Sequence, residues 1–194
     1  MIPASFDYVR VPSIEDAVVA LSADPEAKIL AGGHSLLPAM KLRVARPTTL
    51  IDIARIEGLS YIREETDHIA IGALTRHHDI ATSELLHASV PIASFAAAQI
   101  GDPAVRHVGT LGGSIAHGDP AGDMPSVLLA LGATFVATGV GGVTRTIAAD
   151  DLFTGLFETA LSSHESKVGI TKPTPLPDLV GANARMCSGP LWRK

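Results

Sequence analysis

Two glycine-pair segments carry the residue types and spacing best suited to chemistry in this chain: Ala31-Gly32-Gly33-His34-Ser35-Leu36 and Thr110-Leu111-Gly112-Gly113-Ser114. Each follows an apolar or helical stretch, and each sets a serine just after its Gly-Gly. Glycine lacks a Cβ, so backbone N–H groups there can converge on a bound anion. A strand that ends in Gly-Gly and opens a helix adds free N–H groups and a positive dipole end. A single such loop is equally explained by a tight strand–helix turn that needs glycine only for geometry. Two in one small chain suggest a split cradle for a diphosphate, and so a dinucleotide. Neither segment reads G-x-G-x-x-G, which disfavours a Rossmann site, and neither reads G-x-x-x-x-G-K-[ST], which excludes a P-loop.

Around these segments, Ser35 can add a hydroxyl donor, and His34, large for such a loop, is expected to point away from a phosphate. The second segment is followed by Asp119-Pro120-Ala121-Gly122-Asp123-Met124-Pro125. Asp123 can accept hydrogen bonds from a ribose hydroxyl pair or simply cap the helix that starts there. Lys41 and Arg43 can neutralise phosphate charge or form a solvated helix face. His68, His77, His78, His87, His107 and His117 invite metal readings, but adjacent His77 and His78 share no helical face. His107 and His117 flank the second Gly-Gly and can approach a cofactor or serve as polar surface. Ser35 and Ser114 have no paired base and acid in their sequence context, so no catalytic triad is assigned. No metal ligand or side-chain nucleophile is named.

These residues must be positioned by a framework with two characters. Phe6–Val9 reads as a strand. Ser13, with Asp16 three residues on, reads as a helix N-cap, and Ile14, Ala17, Val18 and Leu21 share a helical face. Asp24-Pro25 ends that helix. Lys28–Ala31 is a strand into the first Gly-Gly, a short helix with Pro38 in its first turn follows, and Thr49–Ile53 is a further strand. This is a βαβ arrangement. Gly58 marks a boundary. Beyond it a hairpin is expected around Thr66-Asp67, then a helix through Ile80 capped by Thr75, and an alanine-rich buried helix from Pro91 to Ile100. A short helical turn follows Asp102-Pro103, and Met124 to Leu131 reads as helix. A second hairpin, Ala133–Thr138 with Val143–Ile147, turns at Gly139–Gly142. The division is therefore an N-terminal βαβ part over 1–57, a second α+β part over 58–161, and an irregular tail over 162–194. Lys172-Pro173-Thr174-Pro175-Leu176-Pro177 argues against helix or central strand there.

The chain has 194 residues, a net charge of −5 and an apolar fraction of 46%. That suits a globular protein with a real core and offers nothing to nucleic acid or an anionic membrane. The uncharged stretch Met124–Thr144 is broken by Gly132, Gly139, Gly141 and Gly142, so it reads as helix, strand and turn rather than a membrane span. The start shows no signal-peptide pattern. One cysteine, Cys187, excludes an intrachain disulfide and suits a cytoplasmic protein; it is assigned no chemistry, and Trp192 is read as exposed.

Ala31 to Arg43, together with Thr110–Ser114, Asp119-Pro120 and Asp123-Met124-Pro125, resembles the flavin loops of the FAD-binding subunits of molybdenum hydroxylases. The opening Pro3–Tyr8 and the His-Ser after the first Gly-Gly are most similar to the medium-subunit type of aerobic carbon monoxide dehydrogenase. The resemblance runs from Met1 to about Leu161. It implies an α+β, PCMH/vanillyl-alcohol-oxidase-type FAD-binding fold, with two α+β subdomains and FAD between them. It further implies that Ala31, Gly32, Gly33, His34, Ser35 and Leu36, with Thr110, Leu111, Gly112, Gly113 and Ser114, hold the cofactor pyrophosphate, and that Asp123 meets the adenosine ribose. The implied role is an oxidoreductase subunit that takes electrons from an iron–sulfur small subunit, itself fed by a molybdopterin large subunit, and passes them to an external acceptor. Two alternatives stand beside it: a non-catalytic remnant of such a subunit, and a stand-alone flavin reductase or oxidase of the same fold. Ser162–Lys194 matches none of the family pattern, and Ser114 stands where asparagine or aspartate is frequent.

Overall fold

The computed structural model describes residues 2–162 and 165–173. The irregular reading of 174–194, with Cys187 and Trp192, lies outside them.

The first layer follows the expected βαβ order. Strand β1 (Asp7–Arg10) leads into α1 (Ile14–Ala23), then β2 (Lys28–Leu30), α2 (Leu36–Lys41) and β3 (Thr49–Asp52). The sheet order is β1-β3-β2, with β3 parallel to both neighbours; Tyr8 pairs with Leu50, and Ile29 with Ile51. Ser13 caps α1, its Oγ accepting from the Asp16 N–H at 3.1 Å and donating to the Asp16 carboxylate at 2.7 Å. Ala17, Val18 and Leu21 are the buried face of that helix. Leu21 and Ala17 pack with Val11, Ala27, Ile51, Ile53, Leu59 and Leu74 into one apolar cluster.

The second layer is antiparallel. β4 (Ile62–Glu64) and β5 (His68–Gly72) form the first hairpin. Helices α3 (His77–Thr82), α4 (Glu84–Ser89), α5 (Pro91–Gln99), α6 (Pro103–Arg106), α7 (Leu111–His117) and α8 (Asp123–Ala130) follow. Then come β6 (Thr134–Thr138), β7 (Thr144–Ala148), α9 (Ala149–Leu152), β8 (Phe153–Gly155), β9 (Glu158–Thr159) and β10 (Ser166–Pro173). The large sheet has the order β4-β5-β10-β6-β7. Its core gathers Phe135, Leu111, Ile115, Met124, Ile80 and Leu86, all almost fully buried. Burying each such side chain contributes about 1.5–3 kcal/mol.

Three local expectations are corrected, and one helix is added. Thr75 does not cap a helix; its hydroxyl accepts from the Tyr61 N–H at 3.1 Å and donates to the Tyr61 carbonyl at 2.9 Å, tying the chain to the first hairpin. α3 starts instead from Arg76. Helix α4, which has only Ser83 as its signal, is capped by that serine through the Leu86 N–H at 3.3 Å. Asp123 is the first residue of α8, not its cap; Gly122 holds the cap position. Finally, the stretch after 162 is not irregular throughout. β10 lies at the centre of the large sheet, antiparallel to both β5 and β6. Pro173 is tolerated because it is the last residue of the strand, paired with His68.

Candidate functional site

The chain leaves β2 at Leu30 and turns through Ala31–Ser35 into α2. Gly33 has φ +72°, a left-handed conformation that L side chains rarely adopt. A Cβ there would also meet Leu30 Cδ1 and Leu37 Cδ1 at 3.0 Å. The Gly33 carbonyl accepts from the Leu37 N–H at 2.9 Å, and the Ser35 carbonyl from the Ala39 N–H at 3.2 Å. Among the described residues, none of the N–H groups of Gly32, Gly33, His34 and Ser35 donates to a protein acceptor. Ser35 makes no side-chain capping bond, and both it and His34 are exposed. Ala31, Gly32, Gly33 and Leu36 are half-buried.

The second Gly-Gly is built differently. It is not a loop but the first turn of α7, capped by Thr110, whose Oγ1 accepts from the Gly113 N–H at 3.3 Å. Leu111 N–H donates to the Thr75 carbonyl at 2.9 Å, Gly112 N–H to the Ala73 carbonyl at 2.8 Å, and Ser114 N–H to the Thr110 carbonyl at 3.0 Å. The N–H groups expected to be free here are therefore committed within the protein. The cause is the docking of this turn on the segment Ala73–Arg76, completed by an antiparallel bridge between Arg76 and Thr110. Gly112 permits that docking: a Cβ would lie 2.7 Å from the Ala73 Cβ and carbonyl oxygen. Gly113 faces the other way. It is exposed, and among the described residues outside its own helix backbone its Cβ would meet only Thr110 Oγ1 within 4 Å, at 2.8 Å. Ser114 is half-buried beside it, while Thr110 and Leu111 are buried.

The two segments meet through backbone. A Cβ on Gly32 would fall 2.2 Å from the Val108 carbonyl oxygen and 3.0 Å from the Gly109 Cα. The first Gly-Gly thus leans on the residues that lead into the second. Asp123 is exposed at the rim of a cleft of about 380 Å³ between α5 and α8, walled by Ile92, Phe95, Pro120 and Val127.

The histidines separate by environment. His107 donates from Nδ1 to the Pro103 carbonyl at 2.6 Å and stacks on His78 at 4.0 Å between ring centroids. His117 lies 5.1 Å from the Phe157 ring. His77, only 5% exposed, was not distinguished from the rest by sequence. Its three-residue spacing to Ile80, the other buried residue of α3, is the signal that could have found it. Burial pushes its imidazole down to about 4, so it is neutral near pH 7. Among the described residues, no group of His, Cys, Asp and Glu could hold a metal ion, and no helix is long and apolar enough to cross a membrane.

Comparison with known proteins is consistent across sequence and fold. The family described as the FAD binding domain in molybdopterin dehydrogenase matches residues 4–175, so the likeness extends past Leu161 and through β10. The carbon monoxide dehydrogenase medium chain of Hydrogenophaga pseudoflava is 47% identical over 174 residues, covering 89% of this chain and 60% of its own length. The glyceraldehyde dehydrogenase medium chain of Sulfolobus acidocaldarius is 41% identical over 173 residues, covering 89% and 61%. The solved carbon monoxide dehydrogenase from Hydrogenophaga pseudoflava lacking the Mo-pyranopterin moiety superposes with a TM-score of 0.88 at 45% identity, over 91% of this chain and 62% of that one. The chain thus spans about 60% of the length of the relatives it matches.

Proposed function

The chain belongs to the FAD-binding-domain family of molybdopterin dehydrogenases, and from that premise we propose that it carries the flavin of a molybdenum hydroxylase medium subunit and passes electrons through it. In this reading an iron–sulfur small subunit, fed by a molybdopterin large subunit, delivers electrons, and an external acceptor removes them. FAD, when bound, supplies the redox chemistry. The work of the chain is to hold and orient that cofactor in the cytoplasm.

The observation that carries the reading is the row of unspent N–H groups from Gly32 to Ser35 at the mouth of α2, beside the left-handed turn at Gly33. Such a row is a nest for a diphosphate. Ala31 and Leu36 frame it. The second segment supports the anion by other means: Thr110 and Ser114 bring hydroxyls, Leu111 and Gly112 anchor the turn, and Gly113 leaves its outer face open for close approach. Asp123, exposed in the first turn of α8, carries a carboxylate suited to accept from the adenosine ribose hydroxyls.

The test is direct. The full chain is mixed with excess FAD and passed over a gel-filtration column. Co-elution of flavin absorbance with protein supports the reading; a protein peak free of flavin, from folded protein, refutes it.

A further inference from the structure

One buried side chain backs the stretch on which both glycine segments lean. The His77 ring lies under Gly109: a Cβ on that glycine would sit 3.0 Å from His77 Cδ2 and 3.4 Å from Nε2. The backbone N–H of His77 donates to the Gly109 carbonyl at 3.0 Å, and the Gly109 N–H donates to the Val105 carbonyl at 2.7 Å. On the opposite side, Val108 and Gly109 press against Gly32. The packing against Gly109 uses the Cδ2–Nε2 edge of the ring and asks nothing of Nδ1. Yet Nδ1 of His77 is buried with no hydrogen-bond partner among the described residues. Native proteins leave few buried polar atoms unpaired, and the exceptions cluster where a ligand or ordered water completes them.

We infer that His77 is a positioning residue of the FAD site: it fixes Val108–Gly109 against Gly32, sets the spacing of the two glycine segments, and gains its missing hydrogen-bond partner when the cofactor is in place. The inference rests on the FAD reading above. His77 acts through Gly109 and Val108, so its effect is on cofactor geometry rather than on electron transfer itself.

Three forms of the full chain test it: wild type, His77→Leu and His77→Gln. Each is measured for FAD dissociation constant, visible circular dichroism of bound flavin, and far-UV circular dichroism without FAD. In wild type, the histidine ¹⁵Nδ1 resonance is followed during FAD addition. The expected result is a folded His77→Leu that binds FAD about tenfold more weakly with an altered flavin dichroism, recovery in His77→Gln, and a wild-type ¹⁵Nδ1 signal that shifts on saturation. A folded His77→Leu with FAD affinity within about twofold of wild type and unchanged flavin dichroism overturns the inference. Wild type that binds FAD while ¹⁵Nδ1 stays fixed overturns the hydrogen-bond part of it. Wild type that binds no FAD overturns the FAD reading itself, and this inference with it.

Discussion

Gly112 and Gly113 are neighbours in one helical turn, yet alanine at the two positions is expected to strike different properties: stability at Gly112 and cofactor affinity at Gly113. At Gly112 the added Cβ would lie 2.7 Å from Ala73 Cβ and from its carbonyl oxygen, and 2.9 Å from its Cα. These are backbone and near-backbone atoms that cannot rotate aside, so α7 must shift. Overpacking of this kind costs about 1–3 kcal/mol. The shift also strains the 2.8 Å bond from Gly112 N–H to the Ala73 carbonyl, worth about 0.5–1.5 kcal/mol. Replacing a helical glycine by alanine returns about 1 kcal/mol. The net is a loss of roughly 1–3 kcal/mol in apo stability. At Gly113 the same helical gain applies, and the close contact among the described residues is with the cap hydroxyl, Thr110 Oγ1 at 2.8 Å, whose displacement weakens the 3.3 Å cap bond by about as much as the alanine gains. Gly113→Ala should therefore be about as stable as wild type, while FAD affinity falls by about 1.4 kcal/mol or more, a tenfold effect. Urea unfolding without FAD and fluorescence titration with FAD separate the two quantities. A Gly112→Ala chain of wild-type stability would refute the packing argument, and a Gly113→Ala chain with wild-type affinity would refute the assignment of its open face to the cofactor.

Other outcomes follow from the same geometry. Asp123→Ala should weaken FAD by about 1–3 kcal/mol while leaving FMN, which lacks the adenosine ribose, unaffected in parallel titrations. Gly33→Val, which adds a branched side chain at φ +72°, should abolish flavin retention on gel filtration. His77 is held neutral by burial down to about 4, whereas an unfolded histidine takes its proton near 6.5, so native stability drops as pH falls from 6.5 to 4 and levels below. That loss is on the order of 3 kcal/mol, and denaturation midpoints of His77→Gln against pH should be flatter across this window. Glu165 accepts a two-pronged ion pair from Arg145, Nε at 2.6 Å and Nη2 at 2.8 Å, which lowers its carboxyl to about 2. Its contribution is present above the usual 4.5 and lost as pH falls toward 2; Glu165→Gln should cost about 1 kcal/mol near neutral pH and nothing in strong acid, by urea titration at both.

The parallel layer was readable because each element carried its own local signal: a serine cap with Asp16, an apolar face at helical spacing, and alternating strands of the right length. The second hairpin was readable for the same reason, with four glycine-rich positions between two apolar runs. What stayed hidden depended on contacts distant in sequence. Thr110–Ser114 looks like a loop because Thr, Gly and Ser are poor helix formers, and only the seat offered by Ala73 and Thr75 makes it helical. Thr75 has the residue type of a cap, but Tyr61, fourteen residues earlier, takes its hydroxyl. β10 contains Gly169 and ends in Pro173, so its local pattern argues against a central strand; two waiting strand edges override that pattern. The glycine pairs pointed to an anion, but which N–H groups are free is a property of the assembled turn.

The central place of β10 has a consequence for biosynthesis. A ribosome delivers β5 and β6 well before residues 166–173 emerge, and until then each shows an unpaired edge to the other side of an open gap. Helices α3 to α9 can gather around apolar side chains in the meantime, but the large sheet closes only when nearly the whole described chain is available. Pairings at such long sequence separation form late and leave intermediates prone to association through their edges. A nascent chain stalled before Glu165 should accordingly sit in chaperone-bound or aggregated form, and its release into soluble protein should track the arrival of this one short central strand.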